Sequence, residues 1–539
     1  MAKQAGKTHY DYIIAGGGTA GCVLAGRLSE DPAVSVLLLE AGRNDRHPFI
    51  HVPAGFAKLT AGPYQWGFVS APQENCNGRE IALPQGKVLG GGGSINAQVF
   101  TRGVPDDYDR WAKATGDDGW SSDGVLPYFL RSEGNTRLSG PMHGNDGPLG
   151  VSDLASPHPL SRAFVQAGQQ YGLPYNSDFN AGSQLGVGYY QTTTKNGRRC
   201  SAAVAYLDPS VRRRPNLTVL TGVFADRVLL EGDRATGVEV RGHKFVSTFR
   251  ADREVIVSSG AFGSPWLLQL SGIGDPEVLR NAGVEIRHAL PGVGKNLQDH
   301  CDLDIVFELN DYGSMDRFNL PRPATAFAGL QYAAYRSGPL SSTVVEAGAF
   351  SFANKDEPTP DLQFHFLPAS GAEAGITAVR PGFGVTLNSY FVRPRSRGSV
   401  QIRSSDPTVH PRIDPNFLDD EYDVDQSIEG VKQSREIMAQ PAMAKHVKAE
   451  RLAGDADLRT REDYLKFVRA YGRTSYHPVG SCAMGVSDES VVGPDLRVHG
   501  MQGLRVVDSS IMPNIVSSNT QAPTVMIAEK AVDLIRAGR

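Results

Sequence analysis

Two groups of residues, at opposite ends of the chain, carry types and spacings suited to chemistry. Near the C-terminus the sequence reads SYHPVGSCAMG, with His477 directly before Pro478. An unperturbed imidazole titrates close to neutral pH, so it can take up or release a proton under ordinary conditions. A histidine in a Gly/Ser-rich segment is equally an ordinary loop residue, and this stretch alone leaves both readings open. Near the N-terminus GGGTAG places Gly16, Gly18 and Gly21 at the spacing G-x-G-x-x-G. Backbone N–H groups exposed by such a turn at a helix start can hold phosphate oxygens.

The glycine motif needs a particular setting, and the sequence supplies it. YDYII at 10–14 predicts a short buried strand, and a helical pattern follows from about 22 to 28. VSVLLLE then predicts a second buried strand ending at Glu40, 19 residues beyond Gly21. Strand, glycine turn, helix and strand with a terminal acid form the βαβ unit that binds dinucleotides. Gly16 permits the tight turn, Gly18 lets backbone approach a pyrophosphate, and Gly21 lets the helix pack on the strand. Glu40 is placed to accept hydrogen bonds from adenosine ribose hydroxyls. The unit does not separate nicotinamide from flavin dinucleotides.

Further segments must position the two ends. PQGKVLGGGGSIN at 84–96 carries four consecutive glycines, a run excluded from regular helix or strand, and ends in Asn96. A Gly-rich turn opening a helix is another place where backbone can lie against a cofactor; the alternative is a flexible surface loop. REVIVSS predicts a buried strand leading into SSGAFGSPWLLQLSGIG at 258–274. Ser264-Pro265 there predicts a helix with proline at its first position and Trp266, Leu267, Leu268 and Leu270 on its core face. LRVVDSSIMP predicts a strand at 504–507 ending in Asp508, and TVMIAEKAVDLI predicts a helix over 524–536. Asn519, just before it, reads as an N-cap on spacing alone.

Composition excludes several classes. Lys and Arg total 54 against 58 Asp and Glu, an interspersed net −4 that carries no nucleic-acid footprint. Arg212-Arg213-Arg214 reads as a solvated turn. The five cysteines are scattered without a C-x-x-C pair, which argues against a disulfide framework or a zinc site, and no metal is expected. MAKQAGKTHYDY lacks the apolar core of a signal peptide, and no apolar run reaches the roughly 18 residues of a membrane span. The expectation is a cytoplasmic protein, with peripheral attachment to the inner membrane left open. At 539 residues, two domains or one large elaborated domain are expected.

Taken together and in this order, GGGTAG, GKVLGGGGSIN, GAFGSPWLLQLSGIG and YHPVGS followed by Asn519-Thr520 resemble the glucose–methanol–choline (GMC) family of flavin-dependent oxidoreductases over essentially the whole chain. HVPAGF, NGRRCSAAVAYL and PGVGKNLQDH place the resemblance nearest the bacterial choline-dehydrogenase-like and alkanol-dehydrogenase-like branch. The resemblance implies an α/β, two-domain fold. A Rossmann-like FAD domain would be assembled from residues 1–155, 200–300 and 466–539. Residues 156–199 and 301–465 would form a substrate domain with an antiparallel sheet flanked by helices. It implies FAD contacts from Gly16, Gly18, Thr19, Ala20, Gly21, Glu40, Ala41, Gly90, Gly91, Asn96, Val223, Asp508, Asn519 and Thr520. Asp508 would accept from a ribityl hydroxyl or order the backbone around it. The N-terminus of the last helix would point at the flavin pyrimidine, its positive dipole end favouring the reduced ring.

By the same resemblance His477 faces the flavin as catalytic base and Asn519 holds the alcohol oxygen. Loss of the hydroxyl proton lets the carbon-bound hydrogen leave as hydride to flavin N5, giving an aldehyde or ketone. A primary aliphatic or aryl alcohol is the expected substrate, since no trimethylammonium cage is visible between about 300 and 465. The reoxidant, oxygen or a quinone-type acceptor, stays open. Relatives commonly have serines at Gly92 and Gly93 and methionine at Gln98, which weakens the case for side-chain contacts there. Ile95 stands where relatives with covalent flavin have histidine, so non-covalent FAD is implied. A lyase or light-driven decarboxylase on the same fold, and a nicotinamide-dependent or non-catalytic nucleotide binder, are the competing readings.

Overall fold

The computed structural model describes residues 7–60, 62–370, 379–451 and 457–538. Among these, the first strand His9–Ala15 lies between Val36–Glu40 and Val246–Val257, parallel to both. Leu217–Thr221 extends the layer beyond Val36–Glu40, and Leu504–Val506 extends it beyond Val246–Val257, both again parallel. Strands sandwiched on both faces need apolar residues throughout, and every residue of VLLLE is buried. The N-terminal half of the long strand Val246–Val257 leaves this layer and pairs antiparallel with Arg234–Arg241, which pairs in turn with Phe224–Glu231.

The first helix, Thr19–Leu28, packs against the last, Gln521–Arg536. Glu529 of the last helix is wholly buried. Arg27 donates to it at 2.9 Å, and Tyr206 Oη does so at 2.8 Å. Arg131 reaches the same carboxylate at 2.9 Å. A buried carboxylate survives when charge and hydrogen bonds compensate it, and here the two ends of the chain supply both.

A second, antiparallel sheet follows the order Val447–Arg451, Cys301–Leu309, Gly384–Phe391, Leu362–Leu367, Ala347–Ser351 and Gly186–Tyr189. Helices Pro159–Tyr171 and Glu421–Met438 pack on it. Side chains alternate along a strand, so Gln363 and His365 share a face. Across the ladder these two residues pair with Tyr390 and Asn388. Arg473-Thr474 adds to Cys301-Asp302 at the edge of this sheet, which brings the segment holding His477 onto it.

Several elements differ from the sequence-based expectation. The helix expected to begin at Ser264-Pro265 begins at Gly260 and runs to Leu270, with Pro265 inside it. Proline leaves the Ala261 carbonyl without its helical donor, and Ser481 Oγ supplies one at 2.5 Å. The last helix starts at Gln521 rather than 524, because Pro523 in its first turn has no hydrogen bond to lose. The four-glycine run is neither an open loop nor the start of an α-helix; Gly91–Ser94 closes into one 3₁₀ turn. The arginine triplet is not simply solvated: Arg212 grips Asp45 through two bonds of 2.9 and 2.8 Å, and Arg214 donates to the Gly26 carbonyl at 2.6 Å. All five cysteines are free and buried, and no described cluster has the makings of a metal site.

Candidate active site

An elongated cleft runs between the two sheets. One end is lined by Glu40, Ala41, Val223 and Trp266, the middle by Gly16, Gly18, Thr19, Ala20 and Gly91, and the other end by His477, Asn519 and Thr520. Asn96 and Asp508 line it as well, whereas Gly21 and Gly90 do not. Gly21 instead touches the strand: a Cβ there would sit 1.9 Å from the Gly16 carbonyl oxygen. Gly90 turns the chain at φ +91° and donates to the Gly17 carbonyl at 2.7 Å.

Glu40 is 6% exposed. It accepts from Gly17 N at 3.0 Å and from Gly42 N at 2.6 Å. Burial pushes its carboxyl up to about 7 against the pull of these two N–H groups. Each oxygen keeps a lone pair for a hydroxyl in the cleft. Asp508 is held by three donors of the protein. It accepts from Gly260 N at 2.9 Å, Ser264 Oγ at 2.5 Å and Ser510 N at 2.8 Å, and so orders the backbone around the cleft. Asn96 likewise donates to Gln521 Oε1 and accepts from Arg199 at 2.7 Å. Arg199, 1% exposed, also donates to the Asn96 carbonyl at 2.7 Å and the Gly93 carbonyl at 3.3 Å, which fixes the glycine turn.

At the far end the hydrogen-bond directions follow from one fixed acceptor. His300 Nε2 lies 3.2 Å from the Val392 carbonyl, which can only accept, so Nε2 carries the proton. His300 is wholly buried, and burial drives its imidazole down to about 3, so the ring is neutral and Nδ1 is bare. His477 Nδ1, 3.0 Å away, must then be the donor. That leaves His477 Nε2 with a free lone pair directed at Asn519 Nδ2, 3.1 Å distant. The Asn519 amide is oriented in turn, because its Oδ1 accepts from Thr101 Oγ1 at 2.9 Å and Gln363 Nε2 at 3.1 Å. The N-cap reading of Asn519 is therefore overturned: Thr520 holds the cap position, and the Asn519 side chain turns to His477.

Burial, reinforced by His300 and His365, holds the His477 imidazole well below its ordinary value. Asp299 positions the same residue through its backbone, accepting from His477 N at 2.9 Å and from Thr474 Oγ1 at 2.5 Å. Burial raises the Asp299 carboxyl to about 7. Sequence reasoning does not pick out His300, Asp299, Arg199, Thr101 or Gln363 as site residues. Asp299 and His300 sit in PGVGKNLQDH and Arg199 in NGRRC, stretches legible as family signatures but mute about roles.

The glycine fingerprint and the 3₁₀ turn belong to one matched family. Residues 10–302 match the N-terminal and residues 394–528 the C-terminal model of GMC oxidoreductases. The chain is a GMC oxidoreductase. It is 44% identical to an alcohol dehydrogenase [acceptor] of Pseudomonas putida, over 98% of this chain and 95% of the relative. It is 43% identical to an oxygen-dependent choline dehydrogenase of Paraburkholderia xenovorans, over 98% and 94%. Among solved structures it is similar to pyridoxine 4-oxidase from Mesorbium loti, with TM-score 0.89, 32% identity and coverage of 98% and 99%. A formate oxidase superposes with TM-score 0.92, 28% identity and 99% of each chain covered.

GMC oxidoreductases bind FAD, and this protein's cleft fits it. A Cβ built on Gly92 or Gly260 meets nothing within 4 Å, so backbone borders open space there. Trp266 Nε1, Gln98 Oε1 and Gln521 Nε2 line the cleft buried and without a protein partner, a spread of donors and an acceptor that a dinucleotide can satisfy. The protein is an FAD-dependent oxidoreductase. Its two-domain α/β architecture is that of its structural neighbours.

Proposed function

We propose that this GMC oxidoreductase converts a primary aliphatic or aryl alcohol to the aldehyde, with His477 as base and Asn519 as its partner on the alcohol oxygen. The observation that carries this reading is the 3.1 Å pair of His477 Nε2 and Asn519 Nδ2. A bare lone pair beside an N–H donor matches a hydroxyl, which donates to the first and accepts from the second. His477 takes the hydroxyl proton at Nε2, and Asn519 holds the oxygen as negative charge builds on it. Bound FAD supplies the hydride acceptor.

Ile95 lines the cleft and packs among Ile50, Leu59 and Val88. Its side chain has no nucleophile, in keeping with non-covalent FAD that denaturation should release. Phe56, Val99 and Val345 line the substrate end with apolar surface, while Asp302 there faces Arg473 at 3.4 Å and Asn388 at 3.3 Å. A carboxylate so paired is a poor seat for a quaternary ammonium, which supports neutral alcohols over choline. The test is an alcohol panel assayed in parallel for peroxide formation and for dye reduction. Flavin bleached by short-chain and benzylic alcohols supports the reading, and the ratio of the two signals names the acceptor class. A yellow protein that no alcohol bleaches would overturn it.

A further inference from the structure

Helix Pro323–Tyr335, PATAFAGLQYAAY, contains no charged residue. Only Ala328 and Tyr332, one turn apart, are buried against the protein, and Tyr332 Oη ties the helix down by donating to the Gly197 carbonyl at 3.0 Å. The opposite face carries Phe327 and Leu330, 69 and 70% exposed, interleaved with exposed Ala326, Ala333 and Ala334, and Tyr335, 79% exposed, ends the helix. At 3.6 residues per turn, 326, 327, 330, 333 and 334 fall within one arc. A helix of an ordinary water-facing surface shows charges there. Nothing in the packing of this helix requires three large apolar side chains to point outward.

Its surroundings are cationic. At the N-terminal end Arg317, Arg322 and Arg380 gather around the Tyr312–Phe383 ring pair, with Arg322 donating to Tyr312 Oη at 2.9 Å. At the C-terminal end Arg336 and Arg198 lie beside Tyr332. None of these five guanidinium groups forms an ion pair among the described residues, although most other arginines of the protein do. Of the two carboxylates between 310 and 336, Asp316 is buried on Ser314 and Ser370, and Asp311 is the lone exposed one.

We propose that this face docks on an anionic lipid bilayer, with Phe327, Leu330 and Tyr335 entering the headgroup region and the five arginines meeting lipid phosphates. An uncharged apolar strip rimmed by unpaired cations is complementary to such a surface on both counts. The attachment is peripheral: no described helix is long and apolar enough to cross a membrane. The docking face also connects to the cleft. Residues 336–344 lead directly to Val345, and the turn Pro339–Ser341 packs on Pro53–Lys58, which carries Phe56; both residues line the substrate end. A lipid-borne alcohol or acceptor would meet the protein beside that end. The inference does not depend on which alcohol is oxidised.

The experiment is flotation of the FAD-loaded protein with vesicles of pure phosphatidylcholine and of phosphatidylcholine containing about 30% phosphatidylglycerol, an anionic surface of the kind such cationic rims meet. Binding is expected to the anionic vesicles and to fall with added salt. Arg322→Gln with Arg336→Gln should weaken it roughly five-fold per arginine removed. Phe327→Ser with Leu330→Ser should weaken it more than about ten-fold. Neither pair touches the cleft, so flavin content and turnover of a water-soluble alcohol should stay at the wild-type level. Wild-type protein that fails to float with anionic vesicles, or serine variants that float as well, would overturn the proposal. So would a wild-type dimer in solution that the serine pair dissociates, since a second copy would then be the occupant.

Discussion

The Nδ1 atoms of His300 and His477 face each other at 3.0 Å, and with His300 donating through Nε2 to the Val392 carbonyl the hydrogen between them belongs to His477. The Val392 carbonyl fixes the proton of His300 on Nε2, and that choice propagates to the ring of His477, the proposed base. On the proposed reading His300 is a positioning residue: it selects the tautomer in which His477 Nε2 keeps a free lone pair.

Replacing it tests that chain. His300→Phe keeps the ring shape, and with it packing on Tyr390, but removes the acceptor. Flavin reduction by a good alcohol should slow by roughly 10–100-fold, as when a partner that orients a functional ring is lost. Apparent substrate affinity should change little. His300→Gln, whose carbonyl oxygen can accept from His477 Nδ1, should recover most of the rate. A purely structural role would not discriminate between the two variants, and equal rates in both would sink the idea.

Removing His477, the proposed base, should cost more. His477→Ala is expected to lower the anaerobic rate of flavin bleaching by about 10²–10⁴-fold, the usual range for a general base. Asn519→Ala removes one donor to the alcohol oxygen and leaves the base in place, so its effect should be smaller. Both proteins should remain yellow. Near wild-type bleaching by His477→Ala would mean another group takes the proton.

The pH profile has a definite sign. Burial, then His300 and His365, disfavours the charged His477 imidazole and holds it well below 6.5. The neutral, competent form therefore persists as pH falls. Flavin reduction measured by stopped flow should be level from about pH 8 down through the ordinary imidazole range and decline only in more acid solution. An acid limb with its midpoint at or above 6.5 would contradict this environment for His477.

Glu40→Gln addresses the other end of the cleft. The carboxylate accepts from Gly17 N and Gly42 N, and an amide must turn its NH₂ toward one of those donors. One buried hydrogen bond left unmade costs about 1–3 kcal/mol, so FAD affinity should fall roughly 5–150-fold. The measurement is flavin content after dialysis and titration with limiting FAD. Undiminished retention would remove Glu40 from the binding set.

Much of the nucleotide end is legible in the sequence, because its geometry is local. Gly16, Gly21 and Glu40 lie within one βαβ unit, and short-range rules fix where such residues go. His477 and Asn519 are nameable through the family resemblance, but their mutual geometry is not. The residues that tune them come from distant segments: Asp299 and His300 at the mouth of a second-sheet strand, Thr101 after the glycine turn, Gln363 inside that sheet. No spacing rule connects them. Pro265 misleads for a related reason. Proline normally opens a helix, and here a distant Ser481 hydroxyl makes an interior position tolerable.

The clamp of Glu529 by Arg27, Tyr206 and Arg131 has a bearing on biogenesis. During synthesis the dinucleotide fingerprint leaves the ribosome long before residues 504–536, yet only these give its sheet the strand Leu504–Val506 and its first helix a partner. At about 5–20 residues per second, the nascent N-terminal segment waits tens of seconds with its apolar face uncovered. Contacts of such sequence separation make folding slow. Cofactor capture should therefore follow the synthesis of residues 504–536, and C-terminal truncations that spare the whole glycine fingerprint are expected to yield colourless chains.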